Sequence, residues 1–127
     1  MDAKHFSLKN NDKAHQILKK ILSLPENNAC FECGVASPVW ASVNNGIFIC
    51  FACSGVHRSF GVNFSFVRST TIDNWNHLQL QMMILGGNKV LKDYFEEKGV
   101  AIDKKSIDSK YKTKECEEYR EKVLIII

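Results

Sequence analysis

Charge is nearly absent from the middle of this 127-residue chain. Between Cys30 and Asn88 the only charged side chains are Glu32, Arg58, Arg68 and Asp73, which sum to zero. A nucleic-acid reader concentrates Lys and Arg on its motif, so the neutral centre argues against that class and no nucleic-acid partner is expected. Arginine is scarce throughout, three residues against 14 lysines. The longest unbroken apolar run, 47–53, has seven residues, far below the roughly 20 that span a bilayer. None of the seven glycines is followed by Lys, so there is no P-loop and the chain cannot hydrolyse a nucleotide by that device. The H-x-E and P-C-x-x-C pair of zinc deaminases is missing as well. The first 13 residues, MDAKHFSLKNNDK, hold no apolar h-region, which predicts a chain without a secretory signal, in a reducing compartment. No internal repeat or low-complexity tract interrupts the sequence.

What remains is globular. Hydrophobic residues make up 45% and charged residues 24%, and the length suits one domain, here expected to be 1–127. The net charge of +3 sits in Lys-rich flanks that read as solvated faces, with a weak attraction to anionic lipid as the alternative. Five cysteines are the informative count. Four form Cys30-Phe31-Glu32-Cys33 and Cys50-Phe51-Ala52-Cys53, two C-x2-C knuckles separated by sixteen residues. In a reducing compartment this spacing reads as one zinc ion before it reads as disulfides. Four thiolates leave no open coordination position, so the metal is expected to be structural. Cys116 reads as a small apolar face residue.

Periodicity supplies the frame. Ala14, Ile17, Leu18, Ile21 and Leu22 predict a helix over 12–24, capped by Asn11 or Asp12 and ended by Pro25. Residues 38–43 and 47–50 flank Asn44-Asn45-Gly46 and predict a β-hairpin, with a third strand near 64–69. A short helix is expected over 54–60, closed by Gly61. Asp73 caps a predicted helix carrying Trp75, Leu78, Met82 and Leu85. Asn88 caps another with Val90, Leu91, Tyr94 and Phe95. A last helix from about Thr113 places Cys116, Tyr119 and Val123 on one side.

The run CFECGVASPVWASVNNGIFICFACSGVHRSFGVNFSFVRSTTIDNW, residues 30–75, resembles the Arf GTPase-activating protein (ArfGAP) domain. Trp40, Ser54-Gly55, His57-Arg58, Gly61 and Val67-Arg68-Ser69 joined to the knuckles make the resemblance specific. It extends through Gly86-Gly87-Asn88 and Tyr111, and 65–69 looks most like the Golgi-acting branch. Asn63 departs from it, standing where the family commonly has His, which bears on local hydrogen bonding.

The resemblance implies an α+β fold, a four-cysteine zinc module with a small three-stranded sheet surrounded by about five or six helices. It also implies a GTPase activator, not itself an enzyme, that binds GTP-loaded Arf. Arg58 would serve as an arginine finger supplied in trans, and Trp40, Phe51, Ile72 and Asp73 would meet the partner. Physics favours arginine for that role: a guanidinium forks across two phosphate oxygens as charge builds in the transition state. On residue physics alone other readings stand. Arg58 binds terminal carbonyls or is solvated, Trp40 is core, Asp73 is an N-cap, His57 satisfies a core hydrogen bond, and Arg68 supports its strand or pairs with Asp73. The expected setting is cytoplasmic and peripheral at Golgi membranes, as a monomer. The chain would be the N-terminal catalytic fragment of a longer protein whose absent sequence touches the membrane. Two competing functions are a zinc nucleic-acid reader of the GATA type and an idle adaptor that binds Arf without accelerating it.

Overall fold

A computed structural model describes the backbone over 3–127 and the side chains from residue 11 onward. The expectation about an N-terminal h-region falls mostly on side chains outside this description. Helix α1 (Ala3–Leu22) buries Ala14 and Leu18 and exposes Lys19 and Lys20. It starts well before residue 12, because Asn11 is not a cap: its Oδ1 accepts the Trp75 backbone N–H at 2.5 Å. A 3₁₀ turn, Pro25–Asn27, follows.

Strands β1 (Trp40–Ser42), β2 (Ile47–Ile49) and β3 (Val67–Ser69) form an antiparallel sheet in the order β2-β1-β3. Trp40 pairs with Ile49 on one side and Ser69 on the other. The hairpin turn is a 3₁₀ turn, Val43–Asn45, closed by Gly46 at φ 65°. A Cβ on Gly46 would lie 3.0 Å from the Met82 carbonyl oxygen, so both backbone and space require glycine there. All three residues of β2 are buried, which puts the sheet inside a shell of helices.

Helix α2 (Phe51–Arg58) begins three residues earlier than 54, because Cys50 is its N-cap and the thiol sulfur accepts from the Cys53 N–H at 3.4 Å. Helix α3 (His77–Leu85) is capped by Asn76 in a box with Gln79, not by Asp73. Its buried side chains are Leu80, Met82 and Met83, while Leu78 and Leu85 face solvent. Helix α4 (Asn88–Lys98) has Gly87 as its cap residue. Asn88 instead turns inward, accepting from the Phe48 N–H at 2.7 Å and donating to the Ala29 carbonyl at 2.9 Å. Helix α5 (Lys114–Ile126) is capped by Thr113 and buries Cys116, Tyr119 and Val123 as the periodicity predicts. Among the described residues there are thus five α-helices around a three-stranded sheet, the expected α+β arrangement. No described helix is long and apolar enough to cross a membrane.

Candidate functional site

The first knuckle is a tight turn. The Cys30 N–H donates to the Val35 carbonyl at 2.8 Å, the Gly34 N–H to the Cys30 carbonyl at 2.9 Å, and Gly34 takes φ 79°. The second knuckle is the first turn of α2. Together they bring the sulfurs of Cys30, Cys33, Cys50 and Cys53 within 4.8 Å of one another. Cys33 and Cys50 sulfurs are 3.7 Å apart, the edge of a tetrahedron whose metal–sulfur bonds are about 2.3 Å. That separation excludes a disulfide across the knuckles, and all five cysteines are free thiols. The set fits one metal ion with its shell closed. Cys116 lies elsewhere, fully buried against Asn45 and Arg120, and burial pushes its thiol pKa up to about 11.

Five residues past Cys53, the side chain of Arg58 is exposed. Its guanidinium carbon lies 5.7 Å from the Trp40 ring centroid, and among the described residues it makes no ion pair and no side-chain hydrogen bond. Trp40 is half-buried, one edge on the core and the other toward Phe51, whose ring centroid is 5.8 Å away and which is 75% exposed. Arg58, Trp40 and Phe51 therefore form one cluster.

Ile72 and Asp73 follow β3 at the sheet end where Trp40 meets Ser69. Ile72 is 77% exposed. Asp73 turns back to accept the Ser69 N–H at 2.7 Å. Neither makes a hydrogen bond or ion pair with Arg58 among the described residues. Arg68 does not pair with Asp73: its guanidinium lies 4.4 Å from the Phe66 ring centroid, and its Nε is buried without a partner. Asn63 is exposed, with its carbonyl accepting from Asn44 at 3.3 Å.

Beneath α2 is a polar cluster that the sequence did not announce. Glu32, between the first two cysteines, is 4% exposed. Its Oε2 accepts from His57 Nε2 at 2.6 Å and from the Tyr111 hydroxyl at 2.5 Å, and its Oε1 pairs with Lys110 at 2.7 Å. Burial alone would raise the Glu32 pKa, but the His57 bond, the Lys110 charge and the Tyr111 hydroxyl outweigh it and hold the carboxyl below its ordinary value. The phenol of Tyr111 goes the other way, pushed well up by burial and by the Glu32 charge, so it remains a donor. Lys110 is thus no part of a solvated lysine face; it is 2% exposed. His57 does satisfy a core hydrogen bond, and it satisfies two, the second with Ser65 Oγ at 2.7 Å. Nothing in the spacing of Glu32 and Tyr111, 79 residues apart, could have joined them.

The chain is similar to known proteins in sequence and in fold. Residues 15–126 match the ArfGap family, described as "Putative GTPase activating protein for Arf". The chain is similar to mouse ADP-ribosylation factor GTPase-activating protein 3, 44% identical over 108 residues, covering 84% of this chain and 20% of that protein. It is also similar to chicken Arf-GAP with coiled-coil, ANK repeat and PH domain-containing protein 2, 46% identical over 86 residues, 68% of this chain and 11% of that one. The chain thus spans about a fifth or less of the length of these relatives. Among solved structures, a Cryptosporidium parvum "putative GTPase activating protein for ADP ribosylation factor" superposes with a TM-score of 0.69 at 33% identity, covering 93% of this chain and 88% of that one. With a family match that runs from α1 to the end of α5, a shared fold and four convergent thiols, the chain belongs to the ArfGap family.

Proposed function

We propose that this chain is the catalytic module of a GTPase-activating protein and supplies Arg58 in trans to an Arf-family GTPase in its GTP-bound form. The observation that carries this is the state of Arg58: exposed, unpaired among the described residues, and held over Trp40 beside the exposed Phe51. A guanidinium with no ion pair or side-chain hydrogen bond among the described residues is available to the γ-phosphate. Such a finger contributes about 10³–10⁵ in rate, roughly 4–7 kcal/mol of barrier. The nucleotide pocket belongs to the partner, so the chain is an activator rather than an enzyme. Phe51, Trp40 and Ile72 offer apolar contact at one end of the sheet, and Asp73 adds a carboxylate there.

The metal is zinc, one per chain, held by Cys30, Cys33, Cys50 and Cys53. An all-thiolate donor set selects a soft ion, and the closed shell gives it a structural role. It braces the helix that ends in Arg58. The relatives are much longer, so the module sits within a larger protein whose other parts supply membrane targeting. Its setting is cytoplasmic and peripheral at the Golgi, as a monomer, where conversion of Arf·GTP to Arf·GDP releases vesicle coats. Single-turnover hydrolysis of GTP by Arf, with and without the chain, tests this reading. Acceleration of at least about a hundredfold is expected. An unchanged rate, with Arf still bound, identifies an idle adaptor instead.

A further inference from the structure

Helix α2 has little to hold its far end. It is eight residues long, below the length at which a helix persists alone, and Gly55 in its interior lowers its propensity further. Its only buried side chains are Cys53, Ser54 and His57. Cys53 belongs to the metal site, and Ser54 bonds back to the Phe51 carbonyl of the same helix at 2.6 Å. His57 is the buried side chain that ties the last turn to the rest of the fold by hydrogen bonds, and Arg58, the next residue, lies over the Trp40 face.

The tie is directional. Asn45 Nδ2 donates to Ser42 Oγ at 2.8 Å, Ser42 Oγ lies 2.7 Å from Ser65 Oγ, Ser65 Oγ lies 2.7 Å from His57 Nδ1, and His57 Nε2 lies 2.6 Å from Glu32 Oε2. An amide nitrogen only donates and a carboxylate only accepts. In the neutral tautomer that carries its hydrogen on Nε2, His57 donates to Glu32 and accepts at Nδ1, and each hydroxyl then passes its hydrogen onward, Ser42 to Ser65 and Ser65 to Nδ1. The far end is anchored too, since Asn45 Oδ1 accepts from Arg120 at 2.9 Å. Around the imidazole stand the rings of Phe60 and Tyr111, each with its centroid 4.9 Å away. An apolar side chain would fill this space without desolvating polar groups. A satisfied, one-way chain adds a single allowed orientation of the ring.

We propose that His57 is the positioning residue of Arg58: clamped between Glu32 of the first knuckle and Ser65 before β3, it fixes the last turn of α2 and so the direction in which the guanidinium leaves the helix. This rests on the reading of Arg58 as the finger. A finger misplaced by about 1 Å loses on the order of a hundredfold in rate, and the loss falls on turnover rather than on partner binding.

The test uses three variants of the chain with GTP-loaded Arf: His57→Phe, which keeps a ring between Phe60 and Tyr111 but removes both hydrogen bonds; Ser65→Ala, which removes one hydroxyl; and Arg58→Ala, alone and combined with each. Metal content and circular dichroism are read on every preparation. His57→Phe should lower kcat about tenfold to a hundredfold and leave KM for Arf within about threefold. Ser65→Ala should act in the same direction and more weakly, and it carries the test by itself if His57→Phe loses metal or structure. In the Arg58→Ala background neither change should reduce turnover further, because what they position is gone. Unchanged kcat in the folded single variants, a loss confined to KM, or an equal fold-loss in both backgrounds overturns the proposal. Failure of the finger reading is separate: Arg58→Ala would itself turn over as fast as the wild type.

Discussion

Replacing Arg58 with Lys separates catalysis from stability. In the folded chain the guanidinium lies over the Trp40 face, at 5.7 Å, with no ion pair or side-chain hydrogen bond among the described residues. An exposed cation–π contact contributes about 0.5–1 kcal/mol, and a lysine ammonium retains part of it. For a domain of this size 1 kcal/mol moves Tm by about 3–6 °C, so the shift should be under about 3 °C. Catalysis is expected to respond differently. The lysine keeps one positive charge but cannot bridge two phosphate oxygens, so at least about 1.4 kcal/mol of barrier lowering, a factor of ten, should disappear. Phosphate release in single turnover measures the rate. Melting and metal content of the same preparation measure the fold. A lysine variant within about twofold of the wild-type rate refutes the finger assignment. A fall in Tm beyond about 10 °C refutes the claim that Arg58 has no internal role.

Phe51→Ala should raise KM for Arf about five- to thirtyfold, the 1–2 kcal/mol of an interface anchor, and change stability by less than about 0.5 kcal/mol. An unchanged KM removes Phe51 from the interface. Asn88→Ala leaves the Phe48 N–H unpaired in the interior and removes the amide donor from the carbonyl of the exposed Ala29. At about 1–3 kcal/mol for the one orphaned buried group, urea denaturation should show a loss of about 1–3 kcal/mol, and an unshifted midpoint contradicts this. Cys33→Ser should abolish one-per-chain zinc stoichiometry and GTPase activation together; retention of activity without metal would show the knuckles to be dispensable. With its pKa raised to about 11 by burial, Cys116 should resist iodoacetamide at about pH 8 in the native protein and react in urea. Rapid labelling of the native chain would show that the site opens readily.

Local chemistry made much of this fold readable in advance. The two C-x2-C knuckles, Asn-Asn-Gly between apolar runs, and the spacing of Cys116, Tyr119 and Val123 each act within a few residues, and the structure contains the elements they predict. Errors arose where a polar side chain had a distant partner. Asn11 and Asn88 look like helix caps, yet one serves the Trp75 backbone and the other serves Phe48 and Ala29. Asp73 lost the cap to Asn76 because its carboxylate is occupied by the Ser69 N–H. Lys110 sits in a lysine-rich stretch, and only the fold reveals Glu32 across from it. The candidate site divides the same way: Arg58 and the four cysteines were visible as residues, whereas its support through Glu32, Ser65 and Tyr111 exists only in three dimensions.

The eight-residue helix α2 also works as an angular gauge. Each helical residue turns the side chain by about 100° and advances about 1.5 Å. His57, four residues after Cys53, lies only about 40° round from it and shares the buried face, whereas Arg58 lies about 140° round and about 7.5 Å along. The metal and the guanidinium thus occupy nearly opposite sides of one short rod. Sequence drift inside the rod is tolerable at the exposed positions Ala52, Gly55 and Val56, but a change of length is not. Inserting or deleting a single residue between Cys53 and His57 would swing the arginine about a quarter turn off the Trp40 face and pull the histidine from its socket, leaving the knuckles intact.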